Sequence, residues 1–305
     1  MAQDSLIWMD GELVEHANAT THVLSHSLHY GLGVFEGIRS YAQPDGVGGV
    51  FRLKEHMDRL LESCHIATIP VSYTSEELVE ATLTVMRKNG LSGGYIRPLV
   101  WMGPGSVKVG ALDNPVHTMI AAWTWGAYLG EDALEKGIRA CVSSYTRMGI
   151  RQNYEKAKIT GQYVNSVLAK REANMNGYDE AILLDDRGLV SEGTGENIFL
   201  VRKGEIWTPP RGSSILAGIT RDTLITIAKD MGLTIREESF TRGDLYTAEE
   251  LFFCGSAAEV SPIREVDGRK IGAGKRGPIT EKLQSAYFDC VNGKTDAYTH
   301  WITRV

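Results

Sequence analysis

Three segments carry a residue pair closed by glycine between apolar-rich runs: Asp10-Gly11 in LIWMDGELV, Arg187-Gly188 in EAILLDDRGLVSEG and Lys203-Gly204 in ENIFLVRKGEIWTPP. Glycine takes the left-handed backbone of a tight turn without steric cost, so each segment is predicted to be an antiparallel hairpin. Hairpins exclude a sheet built only from βαβ crossovers. Helical patterns interleave with them irregularly. FRLKEHMDRLLESCHIA places Leu53, Met57, Leu60, Leu61 and Cys64 on one face. TSEELVEATLTVMRKNG opens with Thr74 and Glu77 at capping-box spacing and closes at Gly90. TGQYVNSVLAKREANMNGY reads as a helix stopping at Gly177. TRDTLITIAKDMGL reads as another, ending at Gly232, with Thr220 as N-cap and Asp222 in the first turn. GYIRPLVWMG, VHTMIAAWTW, IRACVSSY and LFFCGSAAEVSPIREVDG have strand character. The strand-heavy second half predicts an α+β fold.

A chain of 305 residues allows one large domain or two modest ones, and GAYLGEDALEKG interrupts the pattern where two would join. Hydrophobic content of 43% and charged content of 23% are those of an ordinary globular protein. A net charge of −6 without a basic stripe argues against a nucleic-acid binder. The N-terminus lacks a basic segment followed by an apolar run, so no secretory signal is expected, and no stretch reads as a membrane span. Cys64, Cys141, Cys254 and Cys290 are widely separated, as expected of reduced core thiols in a cytoplasmic protein.

Several motifs fail on spacing. GLGVFEG puts its last glycine one place too late for a dinucleotide fingerprint. GAGKRG lacks the earlier glycine of a P-loop and has Arg276 where Ser or Thr should stand. His22, His26 and His29 have helical metal-ligand spacing, but a histidine-rich loop explains them and no metal is expected. No nucleophile elbow is present. NYEKAKITGQY carries Lys156 and Lys158, which would share a face of an extended strand, so periodicity does not choose between them.

The stretch SEGTGENIFLV from Ser191, followed by IWTPP and ILAGITR, resembles the signature of the class IV, or fold type IV, pyridoxal-phosphate aminotransferases. Glu192, Thr194, Asn197, Phe199, Thr208, Leu216, Gly218, Ile219 and Arg221 fall at that family's spacings. HSLHYGLGVFEGIRSY, FRLKEHMDRL, GYIRPLV, WGAYLG, KITGQY and FFCGSAAEVSPI resemble the bacterial branched-chain amino acid aminotransferases, from about residue 7 to about residue 290.

The resemblance implies a small α/β domain over 1–125, a linker over 126–135 and a larger barrel-like domain over 136–305. It implies pyridoxal 5′-phosphate as cofactor, bound through a Schiff base to Lys158, which also moves the proton during turnover. Glu192 would face the pyridine nitrogen, with Glu196 as the rival carboxylate, and Tyr163 the phenolic oxygen. Arg59, the backbone of Ile219 and Thr220, and Ser256 would hold the phosphate. Tyr95 and the Ser256-Ala257 backbone would grip the substrate α-carboxylate. Tyr30, Phe35, Gly37, Trp125 and Tyr128 would wall the pocket. Arg97, with the hydroxyls of Tyr30 and Tyr128, could hold a distal carboxylate; alternatively it forms a surface or inter-strand salt bridge. The implied reaction moves an amino group from L-leucine, L-isoleucine or L-valine to 2-oxoglutarate. A D-amino-acid aminotransferase, an aminodeoxychorismate lyase and a non-catalytic binding module are the alternatives. Relatives build the pocket in a homodimer or a homohexamer, and MGPGSVKVG near residue 105 is the candidate lid from the second subunit.

Overall fold

The computed structural model describes residues 5–126, 128, 130–152 and 154–305. In chain order the elements are β1 (Leu6–Met9), β2 (Glu12–Glu15), α1 (His26–Tyr30), β3 (Gly33–Phe35), β4 (Ile38–Ala42), β5 (Gly48–Phe51), α2 (Leu53–Ile66), α3 (Ser75–Lys88), β6 (Gly94–Met102) and β7 (Val116–Trp123). There follow α4 (Glu131–Lys136), β8 (Ile138–Val142), α5 (Tyr163–Met175), β9 (Glu180–Leu184), β10 (Val190–Gly193), β11 (Asn197–Arg202), β12 (Glu205–Thr208) and α6 (Ile219–Asp230). The chain ends with β13 (Ile235–Glu237), α7 (Arg242–Tyr246), β14 (Glu250–Gly255), β15 (Glu259–Val266), β16 (Arg269–Lys270), α8 (Pro278–Val291) and β17 (Ile302–Arg304). No helix among the described residues is long and apolar enough to cross a membrane.

The chain divides into two compact units: 1–125 with 157–162 and 289–305, and 126–156 with 163–288. Sequence continuity places 157–162 and 289–305 in the later domain, whereas they pack with the first unit. Tertiary pairing outweighs chain order here: β17 adds to the edge of β5, and Ile159 bridges to Val34. The 126–135 segment, expected as a linker, contains most of α4; Ala127 and Leu129 in it lie outside the described residues.

In the first unit, eight strands among the described residues run in the order β17-β5-β4-β6-β7-β1-β2, with β3 on β6, all antiparallel. The β1–β2 hairpin turns at Asp10-Gly11 as predicted. One sheet face buries Val34, Ile38, Val50, Ile96, Val100 and Ile120 with Leu53, Met57, Leu60 and Cys64 of α2 and Leu78, Val85 and Met86 of α3. Because side chains alternate along a strand, β6 sends Tyr95, Arg97, Leu99 and Trp101 to the other face. There Arg97, Leu99 and Trp101 line a cavity of about 500 Å³ with Ile7, Met9, Met119 and Trp123.

The second unit has nine strands among its described residues, ordered β10-β9-β8-β15-β14-β11-β12-β13 with β16 on β15. The β9–β8, β8–β15 and β12–β13 pairs are parallel, and the other pairs are antiparallel. Its main core joins Ile182, Val190, Ile198, Leu200, Leu251, Phe253 and Ile263. All four cysteines are buried free thiols.

Candidate active site

In the first unit the site begins with a close backbone approach. Gly161 N donates to Gly31 O at 2.8 Å, and Thr160 Oγ1 donates to the same oxygen at 2.6 Å. A Cβ on Gly31, whose φ is +73°, would lie 2.9 Å from Gly161 Cα, so glycine is required there. This approach aligns residues 157–160 beside β3. Phe35 N donates to Lys158 O at 3.1 Å, and Lys158 N donates to Ser63 Oγ at 3.1 Å. The Lys158 Nζ then lies 5.0 Å from the Phe35 ring centroid. Lys156 differs: it donates to Arg211 O at 2.6 Å, with its side chain open to solvent, and belongs to the second unit.

A chain of contacts links Lys158 to the expected substrate wall. The Arg97 guanidinium stacks over Phe35 at 4.7 Å and over Tyr95 at 5.4 Å, and its Nη2 donates to Tyr95 Oη at 3.1 Å. Its Nε is buried without a partner, and no salt bridge to Arg97 occurs among the described residues. Among the described residues, neither a surface nor an inter-strand salt bridge is formed. Trp125 packs edge-on against Tyr95 at 4.5 Å. Gly37 lies so close that a Cβ would overlap the Tyr95 hydroxyl.

Tyr30 departs from the expectation that it helps Arg97. It is 46% exposed, and its hydroxyl donates to Val107 O at 2.8 Å. Its ring packs on His26 and His29. The cause is α1, which ends at Tyr30 and turns it toward the 103–110 loop. His22, His26 and His29 use ring nitrogens on backbone groups of Leu24, Lys108 and Val23, respectively.

Helix α2 has a second buried stripe that its apolar pattern conceals. His56, half-buried Arg59 and Ser63 follow the helical repeat along one flank of the core stripe. Arg59 grips Glu36 with Nε to Oε1 at 2.6 Å and Nη2 to Oε2 at 2.9 Å. His56 Nδ1 lies 2.7 Å from Glu36 Oε2. Burial alone would raise the Glu36 pKa, but the charge of Arg59 and the His56 contact hold it well below the usual carboxylate range. Burial lowers the His56 pKa, and the charges of Arg59 and Lys158 add to this against the pull of Glu36. The Nδ1–H tautomer of neutral His56 thus donates to an ionised carboxylate. Neither Glu36 nor His56 stood out in the sequence. The signal available was His56, Arg59 and Ser63 at helical spacing beside the apolar stripe.

In the second unit, β10 buries Glu192 at 4% exposure. Arg147 Nη2 pairs with its Oε1 at 2.8 Å, while Asn197 Nδ2 and Leu216 N donate to its Oε2 at 3.2 and 3.0 Å. Arg147 also donates to Ser166 Oγ at 3.1 Å. Arg147 lies 45 residues from its partner in a segment without regular pattern, so no sequence motif singles it out. Glu196, the rival carboxylate, sits in the bend before β11 and accepts from Gly195 N at 3.0 Å. Burial, with the nearby Glu180 charge, pushes its pKa up to about 8. Tyr163 is the half-buried first residue of α5. Tyr128 is 38% exposed, with Lys170 Nζ 5.7 Å from its ring. Ser256 and Ala257 occupy the turn between β14 and β15.

Thr220 is not the N-cap of α6. Gly218 is, and no side chain caps that helix. Ile219 and Thr220 are its buried first residues, at 8% and 3% exposure. A helix start without a capping side chain suits an anionic group, because it directs backbone N–H groups and the positive dipole end outward. By donor chemistry each unit holds groups that suit a phosphorylated pyridine aldehyde: an amine and an arginine in the first, a helix start and a buried carboxylate in the second.

A profile of the family described as Amino-transferase class IV matches residues 33–266. The chain is 52% identical to the branched-chain-amino-acid aminotransferase of Pseudomonas aeruginosa, over 99% of this chain and 98% of that one. It is 46% identical to the enzyme of the same name from Escherichia coli K12, over 98% and 97%. The crystal structure of the Escherichia coli branched-chain amino acid aminotransferase superposes with a TM-score of 0.95 at 45% identity, covering 98% of each chain. A T.th. branched-chain amino acid aminotransferase with pyridoxamine 5′-phosphate superposes with a TM-score of 0.95 at 47% identity, again covering 98% of each. The protein is a fold type IV enzyme, and the chain belongs to the class IV aminotransferases.

Proposed function

We propose that this aminotransferase exchanges the amino group of L-leucine, L-isoleucine or L-valine with 2-oxoglutarate. The observation that carries the reading is identity of 46–52% with branched-chain-amino-acid aminotransferases over essentially the whole chain. The Arg97 environment supports it. A guanidinium without a carboxylate partner among the described residues, set among Phe35, Tyr95 and Trp125, suits a pocket with two tasks. Such a pocket takes an apolar side chain in one half-reaction and a distal carboxylate in the other.

The cofactor in this reading is pyridoxal 5′-phosphate, which supplies an electron sink for the carbanion formed at the substrate α-carbon. Lys158 would hold its aldehyde carbon and move the proton. Arg59, Ile219, Thr220 and Ser256 would bind the phosphate, Glu192 the ring nitrogen and Tyr163 the phenolic oxygen. Tyr95 and Ala257 would orient the α-carboxylate. The T.th. aminotransferase structures with pyridoxamine 5′-phosphate and with N-(5′-phosphopyridoxyl)-L-glutamate support this choice of cofactor.

A homodimer completes the reading, alone or within a hexamer. Val107 and Val109 of the candidate lid are 59% and 76% exposed, Leu112 just after it is 70% exposed, and Tyr30 is bonded to Val107. Asn114 braces the loop through Ser106 N, Ser106 O and Gly103 O. Such a braced apolar tip suits contact with a second copy, to whose pocket Tyr30 would contribute. A monomer at micromolar concentration by sedimentation would contradict this. A cytoplasmic location is supported by the buried free thiols.

The test is borohydride reduction of the purified protein with peptide mapping, followed by amino-donor profiling. The expected tag lies on Lys158, is lost in Lys158→Ala, and L-leucine is preferred over D-leucine. A tag elsewhere removes the assigned lysine, and preference for the D enantiomer removes the substrate class.

A further inference from the structure

We propose that Glu36 is the positioning residue that aims the Arg59 guanidinium at the cofactor phosphate. This rests on the reading of Arg59 as a phosphate ligand. Glu36 is fully buried between β3 and β4, and its carboxylate receives four donors. They are Arg59 Nε at 2.6 Å, Arg59 Nη2 at 2.9 Å, His56 Nδ1 at 2.7 Å and its neighbour Gly37 N at 3.2 Å. The two-pronged grip fixes the guanidinium plane as well as its place, which a single contact would not do. His56, itself buried on α2 one turn before Arg59, pins the carboxylate from the helix side.

Charge and position act here with opposite signs. The Glu36 carboxylate offsets much of the Arg59 charge, so on Coulomb grounds alone its removal would strengthen attraction for a dianionic phosphate. If Glu36 serves to orient, its removal frees the long arginine side chain to sample other rotamers, and phosphate binding weakens. The direction of the effect therefore separates the two roles.

The experiment titrates full-length apoprotein with pyridoxal 5′-phosphate and with pyridoxal, which lacks the phosphate. The ratio of the two dissociation constants reads the phosphate contribution alone, and general loosening of the fold would move both. Glu36→Gln is expected to reduce that ratio at least tenfold, and Glu36→Asp, which keeps the charge, by a smaller factor. Arg59→Met is the reference and should remove most of the ratio. If Arg59→Met lowers the ratio while Glu36→Gln leaves it unchanged or raises it, the positioning role is overturned and the Arg59 reading stands. If Arg59→Met has no effect, the Arg59 reading falls and the inference falls with it. Should Glu36→Gln not fold, an unchanged ratio in Glu36→Asp overturns the proposal equally.

Discussion

At the scale of single residues, the chemistry depends on groups whose partners are set by the fold. Arg97 stacks on two aromatic rings, bonds a tyrosine hydroxyl and meets no carboxylate among the described residues. In the proposed function, a cation so placed would distinguish substrates by their distal group. Losing a charge-assisted hydrogen bond to a carboxylate costs about 1.5–3 kcal/mol, or roughly ten- to 150-fold. Arg97→Met is therefore expected to raise KM for 2-oxoglutarate and glutamate by at least about tenfold while leaving KM for leucine within about threefold. Steady-state kinetics on each half-reaction checks this, and equal changes for both substrates would remove the assigned role. The surrounding residues were unevenly legible. Glu192 and Lys158 stand in motifs, whereas Glu36, His56 and Arg147 matter through partners distant in sequence, which no local pattern encodes.

At the scale of elements, local chemistry decides where helices begin, and two of them contrast. The start of α3 follows the predicted capping box: Thr74 Oγ1 accepts from Glu77 N at 3.2 Å, and Thr74 N donates to Glu77 Oε2 at 2.7 Å. Thr74→Ala should lower unfolding stability by about 1 kcal/mol without affecting activity, measured by urea denaturation. A loss below about 0.3 kcal/mol would show that tertiary packing alone holds α3. Thr220 looked like a cap by composition, yet it lies inside the first turn of α6, with extended Gly218 before it. The hydroxyl of an N-cap must satisfy the helix's own donors, so a site that uses those donors for a ligand has reason to dispense with one.

At the scale of the whole molecule, buried charge links stability to pH from both sides. The folded-state pKa of His56 lies below its ordinary value of 6.5, so the unfolded chain takes up a proton there first as pH falls. Glu36, held below its ordinary 4.5, adds a second loss in more acid solution. Both contributions are present at neutral pH and are lost on acidification. Glu196 acts in reverse: the folded chain keeps its proton from 4.5 up to about 8, so its contribution falls as pH rises across that window. One proton changes stability by at most about 1.4 kcal/mol per pH unit. Glu196→Gln, neutral throughout, should flatten the decline between about pH 5 and 8 and be relatively more stable than wild type at the upper end. Denaturation midpoints across that range check it, and parallel pH profiles for the two proteins would contradict it.

The sequence by itself determined the hairpins at Asp10-Gly11 and Lys203-Gly204 and the helices α2, α3, α5 and α6. These depend on periodicity, turn conformation and capping, all of which act within a few residues. Only the tertiary structure decided that 157–162 and 289–305 pack with the first unit, that Tyr30 turns toward the loop at Val107, and that Glu36 meets Arg59 and His56. Each is a pairing between segments remote in sequence. The strand edges and buried charges that require such partners do not specify, within any local window, which partner will satisfy them.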